Sequence, residues 1–238
     1  MKTLNVIYDL QIAPCSYDFF AFLLSAETHR LRNGFKKICI YFVPGDKNGF
    51  RNDNLRSDSQ NQQFFLNVIL PGTHLLESIK SIHWLHERSD LFKFPISDHD
   101  VFPRGYNIVN PITDYTMHGL VTAYFRQEKP VIFSCPKYSL NIAKDILENL
   151  SINKKIITLT VRELERDDTN QVRKINHSVW KNVFKKLENT KYQPIVIRDT
   201  CNAHISKPLF ENVPEIKTAS YHIHIRYSIY DLAHLNFF

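Results

Sequence analysis

The stretch KKIITLTVRELERDD, Lys154 to Asp168, decides how the second half of the chain is interpreted. Its residues Ile156 to Val161 are apolar or β-branched, which is typical of a strand buried inside a sheet. Arg162 follows at once and is itself followed by a cluster of charges. A fixed cation at the end of a buried strand needs an anionic ligand or a neighbouring carboxylate. The carboxylates nearest in sequence are Glu163, Glu165 and Asp167.

Strand and helix patterns alternate along the whole chain. Strands are predicted at 5–8, 37–43, 81–87, 156–161 and 194–198, and the last helix at about 219–236. The segments 44–60 and 88–114 are predicted as loops. Alternating strands and helices predict an α/β fold with two Rossmann-like parallel-sheet domains, residues 1–150 and 151–238. The second has only two predicted strands, so we expect it to be incomplete.

Composition narrows the class of protein. The chain has 238 residues, of which 43% are hydrophobic, enough for a packed core. No stretch reaches the roughly 20 apolar residues that span a bilayer, and the opening MKTLNVIYDL is typical of a strand rather than a signal peptide. The four cysteines are far apart and lack metal-ligand spacing. We therefore expect a cytoplasmic protein with no transmembrane segment, no metal site and no cofactor, for which peripheral membrane contact stays open.

The positive charge is concentrated in the last third of the chain. The net charge is +6, and residues 151–238 carry 14 basic and 9 acidic side chains, against 16 and 15 in residues 1–150. A basic surface suits nucleic acid, anionic lipid or a phosphorylated small molecule. A solvated surface is the simpler explanation of so small a surplus. The densest run, KNVFKK, has Val183 and Phe184 on the predicted buried side of a helix, so we expect no nucleic-acid partner.

Arg198 repeats the pattern of Arg162 at the end of the next predicted strand, in PIVIRDT. Ligands of open α/β sheets bind beyond the carboxyl ends of the strands, where a guanidinium presents a planar fork of donors to a phosphate. Two such arginines on neighbouring strands would meet one anion. The alternative is that each pairs with a carboxylate, such as Glu163 or Asp199, and only ends its strand. Residues 151–238 contain no glycine, which excludes a glycine-rich nucleotide loop there.

The segments KKIITLTVRELERDDTNQVRKINHSVWKNVFKKL, YQPIVIRDT and YHIHIRYSIYDLAHLNFF resemble the nucleotide-sugar-binding half of GT-B glycosyltransferases. The nearest type is the fucosyltransferase-like group, in which a strand ends in Val-Arg-Arg-x-Asp and the first arginine holds the donor diphosphate. Val161-Arg162 matches that start, and Glu163 stands where the second arginine would be. The resemblance implies that Arg162 binds the diphosphate of a nucleoside diphosphate sugar. Arg198 is the predicted second ligand.

Almost the whole chain, including NVILPGTHLL and DYTMHGLVTAY, also resembles uncharacterised bacterial proteins of surface-polysaccharide synthesis. In such relatives the segment that matches LAHLNFF continues into a further strand, which again implies an incomplete second domain of GT-B type. The GT-B arrangement places the acceptor and much of the catalytic base in the first domain. The implied partners are a nucleoside diphosphate sugar and a glycan acceptor.

Two residues of the first domain are candidate bases. Asp9 ends the first predicted strand, where a carboxylate of raised pKa would take a proton from an acceptor hydroxyl; the alternative is a turn-forming residue that accepts backbone N–H groups. His86, at the end of SIHWLHE, is a base, an acceptor contact or a half-exposed polar residue. The sequence thus predicts transfer of a sugar to a glycan hydroxyl without a metal. The rival interpretation is a non-catalytic α/β module, or a degenerate transferase that binds an anionic metabolite or a partner protein.

Overall fold

The computed structural model describes residues 2–52, 56–114, 118–128, 131–150, 152–161, 163 and 176–237, apart from the side chains at 118, 119 and 201. The chain forms two compact units, Met1–Ser134 and Cys135–Phe238, each with its own parallel sheet. The prediction of an α/β fold built on parallel sheets is confirmed. Residues 151–155, where the sequence predicts the domain boundary, lie inside the second unit. None of the helices in the described ranges is long and apolar enough to cross a membrane.

The first unit contains a four-stranded sheet in the order β3-β2-β1-β4. Its strands are β1 (Thr3–Asp9), β2 (Lys37–Val43), β3 (Ile79–Trp84) and β4 (Val101–Phe102). Its helices are α1 (Asp18–Arg32), α2 (Asp58–Phe64), α3 (Leu70–Gly72) and α4 (His118–Phe125). A π-helix, Phe65–Ile69, joins α2 to α3, and 3₁₀ helices span Thr73–Leu75 and Arg88–Lys93.

The second unit contains a three-stranded parallel sheet in the order β6-β5-β7. Its strands are β5 (Lys155–Thr160), β6 (Tyr192–Ile197) and β7 (Leu235–Phe237). Its helices are α5 (Lys137–Asn149), α6 (His177–Leu187), α7 (Lys217–Tyr221) and α8 (Ile223–Leu232), with a 3₁₀ turn at Thr200–Asn202. Apolar side chains of α5, α7 and α8 pack on one face of this sheet, and Phe184 of α6 packs on the other.

The two faces of the first sheet are covered differently. On one face, α1 supplies Phe19 and Phe22, whose rings meet Tyr8 of β1 edge to face at 5.0 and 4.9 Å between centroids. The other face is covered by the segment 88–114, which the sequence predicts to be a surface loop. Leu91 is buried in a cluster with Ile7, and the apolar side chains of 94–108 pack around them. This long connection is therefore part of the core.

The end of the second unit differs from the sequence prediction. The last helix was expected to reach about residue 236, but α8 ends at Leu232 and the chain then forms β7. The N–H of His234 donates to the carbonyl oxygen of Ile156 at 2.8 Å, and the Asn236 side chain accepts from Thr158. The helical prediction was wrong here because the apolar pattern of LNF is too short to distinguish a period of two from one of 3.6.

His29 of α1 makes the stability of the first unit depend on pH. Its half-buried ring lies 5.4 Å from the Phe102 ring, and its pKa is lowered by burial and then by the charges of Arg104 and Arg32. A lowered pKa favours the neutral form in the folded state, so this stabilisation is present above the unfolded pKa of about 6.5 and is lost as the pH falls below it. We expect His29→Phe to reduce the loss of melting temperature between about pH 7.5 and about pH 5. An unchanged pH dependence in thermal denaturation would contradict this assignment.

Candidate functional site

The carboxyl ends of β1, β2 and β3 lie at one edge of the first sheet, because these strands are parallel. The chain runs outward from β1 to β3 and then returns to place β4 on the other side of β1. The strand order therefore reverses at β1. Doubly wound sheets bind ligands in the crevice that such a reversal opens at the carboxyl edge. Asp9, a predicted base, is the last residue of β1 and lies at this point.

Asp9 is held by a cluster that we call the Asp9 cluster, made of Asp9, Arg88 and Tyr106. The Asp9 side chain is fully buried. Arg88 donates to both of its carboxylate oxygens, Nη1 to Oδ1 at 2.7 Å and Nη2 to Oδ2 at 2.8 Å. The Tyr106 hydroxyl donates to Oδ2 at 2.6 Å, and the N–H of Gln11 donates to Oδ1 at 3.0 Å. The carboxylate thus has four donors from its own chain.

The same cluster fixes three loops of the first unit. Beyond Asp9, Arg88 donates from Nη1 to the carbonyl oxygen of Pro44 at 2.9 Å and from Nη2 to that of Ile108 at 3.0 Å. The hydrogen bonds from Arg88 to Asp9 raise the pKa of the Arg88 guanidinium. The pKa of Tyr106 is raised mainly by burial and also by its own hydrogen bond to Asp9. Arg88 and Tyr106 are therefore charged and neutral, respectively, at physiological pH. They occupy the crevice at the end of β1, and their contacts support the turn-forming alternative for Asp9 over a base.

His86, the other predicted base, lies just beyond β3 and is exposed. Its backbone N–H donates to Oδ2 of Asp90 at 3.2 Å. Trp84 and His86 are both exposed, whereas Leu85 between them is buried. His86 thus follows Trp84, the last residue of β3, by two residues at the same edge of the sheet.

A cavity of about 330 Å³, which we call the Trp84 pocket, opens beside the carboxyl ends of β2 and β3. Its wall combines one exposed indole with polar side chains from the loop after β2 and from α2. The pocket is lined by Asn48, Gly49, Phe50, Asp58, Ser59, Gln62 and Trp84. This volume lies at the lower end of the range for small-molecule sites. Sequence reasoning missed the pocket, although a tryptophan at a strand end opposite a Gly/Asn-rich loop was the available signal.

The inner wall of the pocket depends on a tight hairpin in the loop after β2. Gly45 and Gly49 form an antiparallel bridge, as do Lys47 and Phe50. Phe50 packs on Phe65 of the π-helix with 6.2 Å between ring centroids. Phe65 in turn packs on Trp84 at 4.8 Å. These two edge-on and tilted ring contacts connect the hairpin to the sheet and hold the indole in place.

We expect Gly45→Ala to destabilise this hairpin by about 1–3 kcal/mol, the usual cost of overpacking. A Cβ at position 45 would lie 2.4 Å from the carbonyl oxygen of Phe50 and 2.8 Å from that of Leu10, so the backbone must shift. Gly49→Ala is the matched control, because it has open space and only a left-handed φ of +87°; it should cost about 1 kcal/mol. Urea denaturation would measure both values. Equal stability of Gly45→Ala and the parent protein would contradict the hairpin geometry.

The strand order of the second sheet also reverses, at β5, which lies between β6 and β7. The carboxyl end of β5 is Thr160, and the N–H of Val161 still donates to the carbonyl oxygen of Ile197 at 2.9 Å. Arg162, the predicted diphosphate ligand, follows Val161 in the sequence but lies outside the described residues. The reversal at β5 is the point in this sheet where α/β folds bind ligands.

Arg198, the predicted second ligand, follows β6 and is 3% exposed. Its guanidinium pairs with Glu163 through Nε to Oε2 at 2.8 Å and through Nη2 to Oε1. Nη1 donates to the carbonyl oxygen of Lys207 at 3.1 Å and lies 3.9 Å from Oε1 of Glu215. Pairing with Glu163 raises the pKa of Arg198 further. This arrangement, which we call the Arg198 cluster, corresponds to the alternative in which Arg198 pairs with a carboxylate.

Among the residues that the structure describes, no three His, Cys, Asp or Glu side chains gather closely enough to hold a metal ion. No protein-family model matches the chain, and no curated protein or solved structure matches it significantly.

Proposed function

We propose that this protein is a cytoplasmic glycosyltransferase that moves a sugar from a nucleoside diphosphate sugar to a glycan hydroxyl, in the manner of GT-B enzymes. The observation that carries the proposal is the reversal of strand order at β5, directly before Val161-Arg162. An arginine that follows such a strand end suits the diphosphate of a nucleotide donor. The guanidinium would stabilise the negative charge that develops on the leaving diphosphate.

In this proposal Arg198 acts as a positioning residue. It is paired with Glu163, the residue that follows Arg162, and both oxygens of that carboxylate are engaged. Holding Glu163 restrains the backbone next to Arg162. Arg198 therefore supports the diphosphate site indirectly, and contact between its guanidinium and the donor would require it to leave Glu163.

His86 is the proposed base of the reaction. The Asp9 side chain accepts four hydrogen bonds, from Arg88, Tyr106 and Gln11, whereas His86 is exposed just beyond β3. Histidine is the side chain that most often serves as a general base near neutral pH. His86→Gln should therefore lower the transfer rate by about 10²-fold or more while leaving donor binding unchanged.

Thermal denaturation with a panel of nucleoside diphosphates and sugar nucleotides tests donor binding. A ligand that binds only the native state stabilises it by about 2.7 kcal/mol at a concentration of 100 times its Kd. We expect at least one nucleoside diphosphate to raise the melting temperature and Arg162→Ala to abolish the effect. Arg162→Lys is the matched control, since it keeps the charge but loses the bidentate fork. No shift with any member of the panel would overturn the proposal.

The second candidate function is a non-catalytic module that binds an anionic metabolite. The observation that favours it is the Asp9 cluster, which fills the crevice at the end of β1 with the chain's own guanidinium and phenol. Hydrolysis of the sugar nucleotide, measured as release of the nucleoside diphosphate, separates the two functions. If the sugar nucleotide binds but no nucleoside diphosphate is released, either with or without added glycan, the non-catalytic module is favoured.

A further inference from the structure

The Trp84 pocket presents an aromatic surface that the packing of the fold leaves about half exposed. The indole of Trp84 packs on Phe65 at an interplanar angle of 51°, yet Trp84 remains 52% exposed. The large aromatic residues of this unit are otherwise mostly buried around β1 and β2. An exposed indole inside a concave site provides a flat apolar surface on which a ring can stack.

The polar side of the pocket is made of a carboxylate and amides. The side chain of Asp58 is 40% exposed, and its Oδ2 accepts a hydrogen bond from Nδ2 of Asn48. Nζ of Lys47 lies 3.9 Å from Oδ1 of Asp58, an exposed pair that solvent screens. A carboxylate has about four acceptor sites, so Asp58 keeps capacity for further donors. Gln62, which is also exposed, adds one acceptor and two donors.

The charge and hydrogen-bonding groups on the polar side of the pocket determine which ring-shaped ligands it can bind. Phosphates would bring negative charge next to Asp58, whose long and exposed ion pair with Lys47 neutralises little of its charge. A neutral ligand rich in hydroxyl groups meets no such repulsion. Its hydroxyls would donate to the carboxylate and exchange hydrogen bonds with the amides, while the C–H face of its ring covers the indole.

We infer that the Trp84 pocket binds one sugar ring of a neutral saccharide, with the ring face on Trp84 and hydroxyls on Asp58, Asn48 and Gln62. The binding of a saccharide is inferred from the pocket alone. The identification of this saccharide as the glycan acceptor rests on the proposed function. His86, the proposed base, follows Trp84 by two residues at the same edge of the sheet.

Trp84 itself provides the test, because the chain has only two tryptophans and the other, Trp180, lies in α6 of the second unit. In the full-length Trp180→Phe variant, Trp84 is the sole tryptophan reporter. We expect saturable changes in its emission on titration with short oligosaccharides of neutral hexoses and N-acetylhexosamines. Asp58→Asn in the same background should weaken binding at least about tenfold, since it replaces a charged acceptor.

Calorimetry or ligand-observed NMR follows binding in variants that lack the reporter. Trp84→Ala should abolish saccharide binding, and Phe92→Ala is the matched control, because Phe92 is an aromatic residue of the same unit that is 76% exposed outside the pocket. The inference is overturned if no saccharide changes the Trp84 emission. It is also overturned if nucleosides bind in place of saccharides, or if Trp84→Ala binds saccharide as well as the parent does.

The failure of this inference and that of the proposed function are distinguishable. Donor binding is measured by thermal denaturation with nucleoside diphosphates and no saccharide, and saccharide binding by Trp84 emission without donor. Saccharide binding without any response to donors would leave the pocket assignment standing and remove the transferase proposal. A response to donors without saccharide binding would leave the transferase proposal standing and remove the pocket assignment.

Discussion

Asp9→Asn should lower the free energy of unfolding of the first unit by about 3 kcal/mol or more. The substitution keeps the shape of the side chain but leaves Arg88 in the cluster without its counter-ion, and breaking a buried ion pair in this way typically costs about 3–5 kcal/mol. The Asp9 side chain is fully buried and the Arg88 side chain is 22% exposed, so solvent compensates for only part of the loss. The Tyr106 hydroxyl also loses a charged acceptor that lies at 2.6 Å.

Urea denaturation of the Trp180→Phe variant, followed by the emission of Trp84, isolates the first unit. Lys93→Ala is the control, because Lys93 forms an exposed pair with Asp90 that surface solvation screens, and it should change stability little. A double-mutant cycle with Arg88→Gln should show strong coupling to Asp9. If Asp9→Asn is as stable as the parent but loses transfer activity, Asp9 is a base after all.

Arg198→Ala should destabilise the second unit by a similar amount, about 3–5 kcal/mol. It leaves Glu163 without its bidentate partner, and Glu215 loses a nearby cation at 3.9 Å. It also removes the donor to the carbonyl oxygen of Lys207. Emission of Trp180 in a Trp84→Phe background reports on this unit, and Arg198→Lys, which keeps the charge without the fork, should recover only part of the loss.

Glu163→Gln separates the two roles of Arg198. If Arg198 only positions the neighbouring segment, this substitution weakens that restraint, and nucleoside diphosphate binding should fall or stay constant. If Arg198 contacts the diphosphate, removing the competing carboxylate should instead tighten binding by about tenfold or more, since one competing charged interaction is removed. Tighter binding in thermal denaturation would restore Arg198 as a direct ligand.

The parts of the fold that were predictable are those in which local pattern and burial agree. The apolar runs of β1, β2, β5 and β6 are long enough to be recognised as strands. The strands β4 and β7, of two and three residues, are too short to show the alternation of apolar and polar residues that is typical of a strand. They are strands because they pair with β1 and β5, which are distant in sequence.

The candidate site was less predictable because its contacts are distant in sequence. Arg88 and Tyr106 lie 79 and 97 residues from Asp9, and no local pattern connects them. The sequence indicated Glu163 and Asp199 as carboxylates that could pair with the two arginines at the strand ends, without assigning Glu163 to Arg198. The choice between ion pair and diphosphate ligand depended on side-chain geometry that spacing does not encode.

The hydrogen bonds from Arg88 to Pro44 and Ile108 have a consequence for how ligands would arrive. They tie the connections that leave β2, β3 and β4 to one another, and the hairpin at 45–50 begins directly after Pro44. Such preorganisation removes the entropy cost of ordering loops on association. A saccharide should therefore associate in stopped-flow traces as a single exponential whose rate rises linearly with concentration, without the plateau that a preceding isomerisation imposes.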